Sequence, residues 1–144
     1  MSYFPPTLTI INGDNKNTAS NDAIFDALAL KANQAPFRQT IVTLTDASTI
    51  MVDAALGNIF RVTLGGNRAL GAPINAVDGQ MLSFEISQDS TGGRTLDLTN
   101  SIFRFSADLP LPTLSTGANK LDRLLFQYNS SANKFDCIAI NKGF

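Results

Sequence analysis

Histidine and tryptophan are absent from this 144-residue chain, cysteine occurs once, and of the twelve acidic residues only Glu85 is a glutamate. Without histidine there is no Ser-His-Asp triad, no Cys-His pair and no histidine-ligated zinc. The single Cys137 excludes a CxxC site and an internal disulfide. Charge is also scarce. Charged residues make up 16% of the chain, against about 25% in ordinary soluble domains. Eleven basic residues nearly balance the acids, for a net charge of -1. No Lys/Arg cluster supplies the phosphate-neutralising stripe that nucleic-acid binding needs, so nucleic acid is not an expected partner.

No apolar run approaches the roughly 18 residues of a membrane span, and a membrane partner is not expected either. The opening Met1-Ser2-Tyr3-Phe4-Pro5-Pro6 has neither a basic nor an apolar leader region. That reading places folding in a cytoplasm. With no tryptophan and two tyrosines against ten phenylalanines, the chain is poor in the exposed rings of a sugar-binding platform. The phenylalanines Phe60, Phe84, Phe103, Phe105, Phe126 and Phe135 are expected in a core.

What is present is a β pattern with an unlike leader. Residues 1–38 form an N-terminal arm, stiffened by Pro5 and Pro6, which fix their own φ and push their predecessors towards extended backbone. A short amphipathic helix is expected over about residues 21–32, with Ser20 as N-cap, Asp22 in the first turn and Pro36 beyond its end. The arm carries Tyr3, Phe4, Leu8, Ile10, Ile11, Ile24, Phe25 and Leu28. At about 25 cal/mol per Å² of apolar area, so many side chains call for cover, from the chain's own β-domain or from a neighbour. They are the candidate partner-binding residues.

Residues 39–144 alternate with a period of two, in runs at 40–45, 49–53, 58–64, 68–70, 80–88, 94–98, 102–105, 121–128 and 134–140. In the run 80–88, Leu82, Phe84 and Ile86 face a core while Ser83, Glu85 and Ser87 face out. The first two runs are expected to pair across a tight turn, the runs 80–88 and 94–98 to form a hairpin, and the last two to form another. Short strands at regular spacing point to an all-β fold, an antiparallel β-sandwich of jelly-roll type, with an up-and-down barrel as the alternative. No repeat of 20 to 50 residues is visible, which disfavours a solenoid.

Few groups offer chemistry. Glu85 and Asp97 could form a glycosidase carboxylate pair if their strands are adjacent, but paired acids on a polar face are ordinarily solvated, so no enzyme activity is expected. Asp14-Asn15-Lys16-Asn17-Thr18 resembles a calcium loop only superficially: Lys16 holds the third ligand position and Phe25 the twelfth. No cofactor or metal is expected. Gly65-Gly66-Asn67 and Gly92-Gly93-Arg94 suit tight β-turns and positive φ. Arg61, Arg94, Arg104 and Arg123 are placed within strands on polar faces, and Cys137 as a small buried hydrophobe.

The stretches Leu56-Gly57-Asn58-Ile59-Phe60-Arg61-Val62-Thr63-Leu64-Gly65-Gly66-Asn67-Arg68 and Gln88-Asp89-Ser90-Thr91-Gly92-Gly93-Arg94-Thr95-Leu96, with residues 41–47, 78–80, 128–136 and 142–144, resemble a β-domain of tailed-bacteriophage virion proteins. That domain occurs in tail-fibre-like chains and in short capsid cement or decoration proteins. Residues 21–32 are similar to the linker helix that precedes it in fibre proteins. The resemblance implies a trimeric virion component that is made in the host bacterial cytoplasm. The short chain favours a cement protein on the capsid surface, whose partners are itself and the major capsid protein. The alternative is a tail-fibre or receptor-binding tip, with residues 89–93 and 129–133 touching host glycan.

Overall fold

Each run of alternating residues becomes a strand in the computed structural model, which describes residues 39–144. These are β1 (Ile41–Thr43), β2 (Thr49–Ile50), β3 (Ile59–Leu64), β4 (Arg68–Leu70), β5 (Met81–Gln88), β6 (Leu96–Asp97), β7 (Phe103–Arg104), β8 (Leu121–Asn129) and β9 (Lys134–Asn141). The arm and the 21–32 helix lie outside the described residues. Among the described residues there is no helix, and the fold is all-β.

The pairing departs from the expected antiparallel arrangement. One sheet has the order β1-β3-β5-β8-β9-β7 and the other β2-β4-β6. Contacts β1–β3, β3–β5, β2–β4, β4–β6 and β7–β9 are parallel; only β5–β8 and β8–β9 are antiparallel. The first two runs therefore do not form a hairpin, and neither do the runs 80–88 and 94–98, because each pair divides between the two sheets. The chain turns a corner after β1 to enter the other sheet, returns as β3 beside β1, and repeats the circuit through β4, β5 and β6. Three turns of a short parallel coil result.

The step between stacked residues varies, from Ile41 to Ile59 and from Ile59 to Ser83 in one sheet, and from Arg68 to Leu96 in the other. Unequal turns of this kind leave no fixed sequence period, which is why the coil does not show as a repeat. At the end of the stack β8 lies antiparallel to β5, and the β8–β9 hairpin forms as expected, with Asn133 at φ 50° in its turn. A bulge between Leu125 and Phe126 pairs these residues with Ala139 and Cys137. Ile138 is the extra residue, and it points to solvent.

Both sheets contribute to one core, Ile50, Leu70 and Leu96 from the smaller and Phe60, Phe84, Leu124, Phe126 and Phe135 from the larger. In-register parallel stacking puts Phe60 directly beside Phe84, and their rings stack at 5.6 Å between centroids. Phe126 meets Phe84 edge-on at 5.9 Å and Phe103 at 5.2 Å. Such pairs add about 0.5–1.5 kcal/mol each beyond their buried area. Leu82, Phe84 and Ile86 are buried as the alternation requires, and Cys137 is buried opposite exposed Ile138.

Candidate functional site

The corners and the outer face of the larger sheet carry the polar chemistry. Register places Arg61, Glu85 and Arg123 side by side across β3, β5 and β8. Arg61 Nη2 lies 2.7 Å from Glu85 Oε2, and Arg123 Nη2 lies 3.2 Å from Oε1. The Arg61 guanidinium, assisted by that of Arg123, holds the Glu85 carboxyl below the usual glutamate range. Glu85 is thus an ionised cross-strand tie, the opposite of a proton donor. Asp97 sits in β6 of the other sheet and accepts a hydrogen bond from the Thr99 N–H at 2.8 Å. The two acids do not form a pair across neighbouring strands.

Further arginines clamp the corners. Arg68 donates to both oxygens of Asp46, at 2.7 and 2.8 Å, where the first turn passes between sheets. Arg94 donates to Asp89 Oδ2 at 2.8 Å, and it lies in a corner and not in a strand as expected. The glycines of that corner, Gly92 and Gly93, have φ of 72° and 73°, whereas Gly65 and Gly66 do not adopt positive φ. Two buried polar residues complete the scaffold. Gln88 receives the Arg94 N–H on Oε1 and donates Nε2 to the Arg94 carbonyl. Asp122, 2% exposed, accepts the Ser115 N–H on Oδ2 at 2.6 Å and the Gly143 N–H on Oδ1 at 2.8 Å. Sequence reasoning missed both, although each stands on the inward phase of its strand's alternation.

Two concavities stand out among the described residues. The first, of about 250 Å³, is largely apolar and lies at the β1–β2 rim of the first coil turn, lined by Val42, Leu44, Met51, Val52, Leu56 and Ile74 among others. Met51, Leu56 and Ile74 are more than half exposed there. The other, of about 340 Å³, is polar and is lined by Asp78, Gly79, Gln127, Tyr128, Asn129, Ser131 and Asp136. The Ser130 N–H lowers the Asp78 carboxyl, and the Arg104 guanidinium, bidentate at 2.5 and 2.7 Å, lowers that of Asp136.

Tyr3, Phe4, Leu8, Ile10, Ile11, Ile24, Phe25 and Leu28 lie outside the described residues. Of the two loops named from the sequence, 129–133 contributes Asn129 and Ser131 to the polar cleft. Loop 89–93 is folded on itself, with Asp89 Oδ1 accepting the Thr91 and Gly92 N–H groups. Burial pushes the Cys137 thiol up, so it is a poor nucleophile. Among the described residues no three His, Cys, Asp or Glu side chains gather closely enough to hold a metal ion. The chain matches no protein-family profile, no curated protein and no solved structure.

Proposed function

We propose that this chain is a bacteriophage capsid cement or decoration protein, a homotrimer that binds the major capsid protein across subunit boundaries on the virion surface. The two sheets around one core serve as a rigid sandwich-like block, and no reaction is assigned to it. The observation that carries the reading is the apolar lip of the first coil turn, where Ile41, Met51, Leu56 and Ile74 are exposed at the edge of a cross-braced scaffold. Apolar surface gathered in this way suits a contact with a neighbour in an assembly. The resemblance of residues 40–144 to phage virion modules, and the apolar side chains of the arm, point the same way.

The mechanism is mass action. A protein that binds the assembled shell and not the free subunit stabilises the shell by RT ln(1 + [L]/Kd), about 2.7 kcal/mol at a concentration one hundred times Kd. The test is the copy number and location of the chain in purified particles, together with the heat resistance of shells with and without it. Dozens of copies on the shell and a raised disruption temperature are expected. Binding that is undiminished after deletion of residues 1–38 would remove the arm from the mechanism, and a few copies on the tail would replace the reading with the tail-tip one. That second reading is favoured by the polar cleft beside residues 129–133.

A further inference from the structure

The β1–β2 rim, where the coil begins among the described residues, presents backbone and apolar groups together. The Leu44 N–H donates to the Arg61 carbonyl and the Ile59 N–H to the Thr40 carbonyl, so Thr40, Val42 and Leu44 face β3 while the backbone groups of Ile41 and Thr43 point away from it. In the smaller sheet the Ala69 and Gly71 N–H groups donate to the Ser48 and Ile50 carbonyls, which turns the backbone groups of Thr49 and Met51 outward in the same way. Ile41, Met51, Leu56 and Ile74 lie on this rim, four of the eight exposed large apolar side chains among the described residues. Apolar exposure is thus concentrated where the edge strands are.

The hollow at the rim suits side chains better than a small molecule. At about 250 Å³ it lies below the roughly 300–1,000 Å³ of ligand pockets. Asp53, its one charged lining residue, already accepts the Ala55 N–H at 3.0 Å and the Asn75 amide at 2.9 Å. Outward backbone groups beside an apolar hollow are what strand addition needs, since main-chain hydrogen bonds give the affinity and alternate side chains fill the hollow. The matching occupant is an extended segment with aliphatic residues two positions apart.

The chain carries such a segment ahead of the β-domain. In Thr7-Leu8-Thr9-Ile10-Ile11, a period of two puts Leu8 and Ile10 on one face, with Pro5 and Pro6 on one side and Asn12-Gly13-Asp14 on the other as bounds. Residues 12–38 join it to Gln39 beside β1, and fully extended they span roughly 90 Å, enough to reach a neighbouring copy. Ile10 also stands further ahead of Val42 than any stacked pair within β1–β6 is separated, an interval that suits no winding of this coil. One arm and one rim per chain make a head-to-tail contact, which closes into a ring of identical copies.

We propose that residues 7–11 of a second copy of this chain add as a strand beside β1, with Leu8 and Ile10 seated in the hollow at the rim. The inference rests on the homotrimer reading and supplies the joint between its copies. The experiment is sedimentation equilibrium of the full chain, without shells, and of the variants Ile10→Asp and Met51→Asp. Ile10 lies outside residues 39–144 and Met51 is 64% exposed, so both variants keep the β-domain folded, which an unchanged circular dichroism spectrum verifies.

The parent chain is expected to associate. Each variant should raise the dissociation constant at least about tenfold, because each puts a carboxylate into an apolar contact. Mixed in equal amounts, the two variants should pair again, since the intact arm of the Met51→Asp chain meets the intact rim of the Ile10→Asp chain. Association that ignores Ile10→Asp or Met51→Asp overturns the joint and leaves the homotrimer standing on another surface. A mixture that stays dissociated overturns it too, because a rim-to-rim contact gives that result. A parent that is monomeric up to its solubility limit removes the joint and the homotrimer together, while shell binding is measured separately on particles.

Discussion

Asp122→Asn isolates one buried carboxylate that ties three separated parts of the chain together. Asp122 stands at the start of β8, with one oxygen on the Ser115 N–H and the other on the Gly143 N–H. Asparagine has the same outline but a single acceptor oxygen, so one of the two backbone N–H groups must face an NH2. A hydrogen bond to a charged group contributes about 1.5–3 kcal/mol, and a stranded buried donor costs about 1–3 kcal/mol. Relief from burying a charge offsets part of this, and the net loss is about 2 kcal/mol. For a β-domain of residues 39–144, that corresponds to a fall in Tm of about 8 °C.

Urea unfolding followed by far-UV circular dichroism measures the loss, since the chain has no tryptophan to report fluorescence. Hydrogen exchange supplies the local readout: the Ser115 or Gly143 amide should lose protection before the core amides do. A stability change within about 0.5 kcal/mol, the ordinary scatter of surface substitutions, would refute the two-acceptor account. A large change with both amides still protected would refute it equally.

Two further outcomes follow from the corners and the charged row. A Cβ at Gly92 would sit 2.5 Å from the Thr116 carbonyl oxygen and 2.8 Å from the Ala118 nitrogen, both backbone, whereas one at Gly93 meets nothing within 4 Å. Gly92→Ala should therefore cost at least about 2 kcal/mol and Gly93→Ala only about 1 kcal/mol for its positive φ, and equal denaturant midpoints would contradict the packing at 114–118. For Glu85, whose folded pKa is depressed, the stabilising contribution is complete above the unfolded value of about 4.3 and is lost as pH falls through the folded value. Glu85→Gln should make stability less dependent on pH in that acid window, and a slope equal to the parent's would show that the Arg61–Glu85–Arg123 row is not coupled to folding.

Position and face of the strands were legible because alternation records which side each residue takes. The run at β5 predicted buried Leu82, Phe84 and Ile86, and the same phase also carries Gln88 inward to replace a backbone partner at the Arg94 corner. Partner choice was not legible. A period of two is identical for a strand that pairs with its sequence neighbour and for one that stacks on the strand one coil turn earlier. The short link between β1 and β2 reads as a hairpin by composition, yet Asp46 in that link reaches across to Arg68 and the chain changes sheets. Arg94 was misplaced for a related reason, since a residue that clamps a corner and one that decorates a strand look alike in a list of arginines. The polar cleft was half visible: residues 129–133 stood out as a loop, but Asp78 and Gly79 join them through hydrogen bonds spanning about fifty positions, one from the Ser130 N–H to the Asp78 carboxylate and one from the Gly79 N–H to the Tyr128 carbonyl.

The antiparallel pair β8 and β9 has one further effect. It stops the winding, because its strands run against the direction in which another turn would have to be laid. The opposite rim, at β1 and β2, has no such stop among the described residues. A winding laid beyond β5 would have to displace β8 from its pairing with β5, so the polar cleft and the buried Asp122 tie remain fixed to the last turn of the coil.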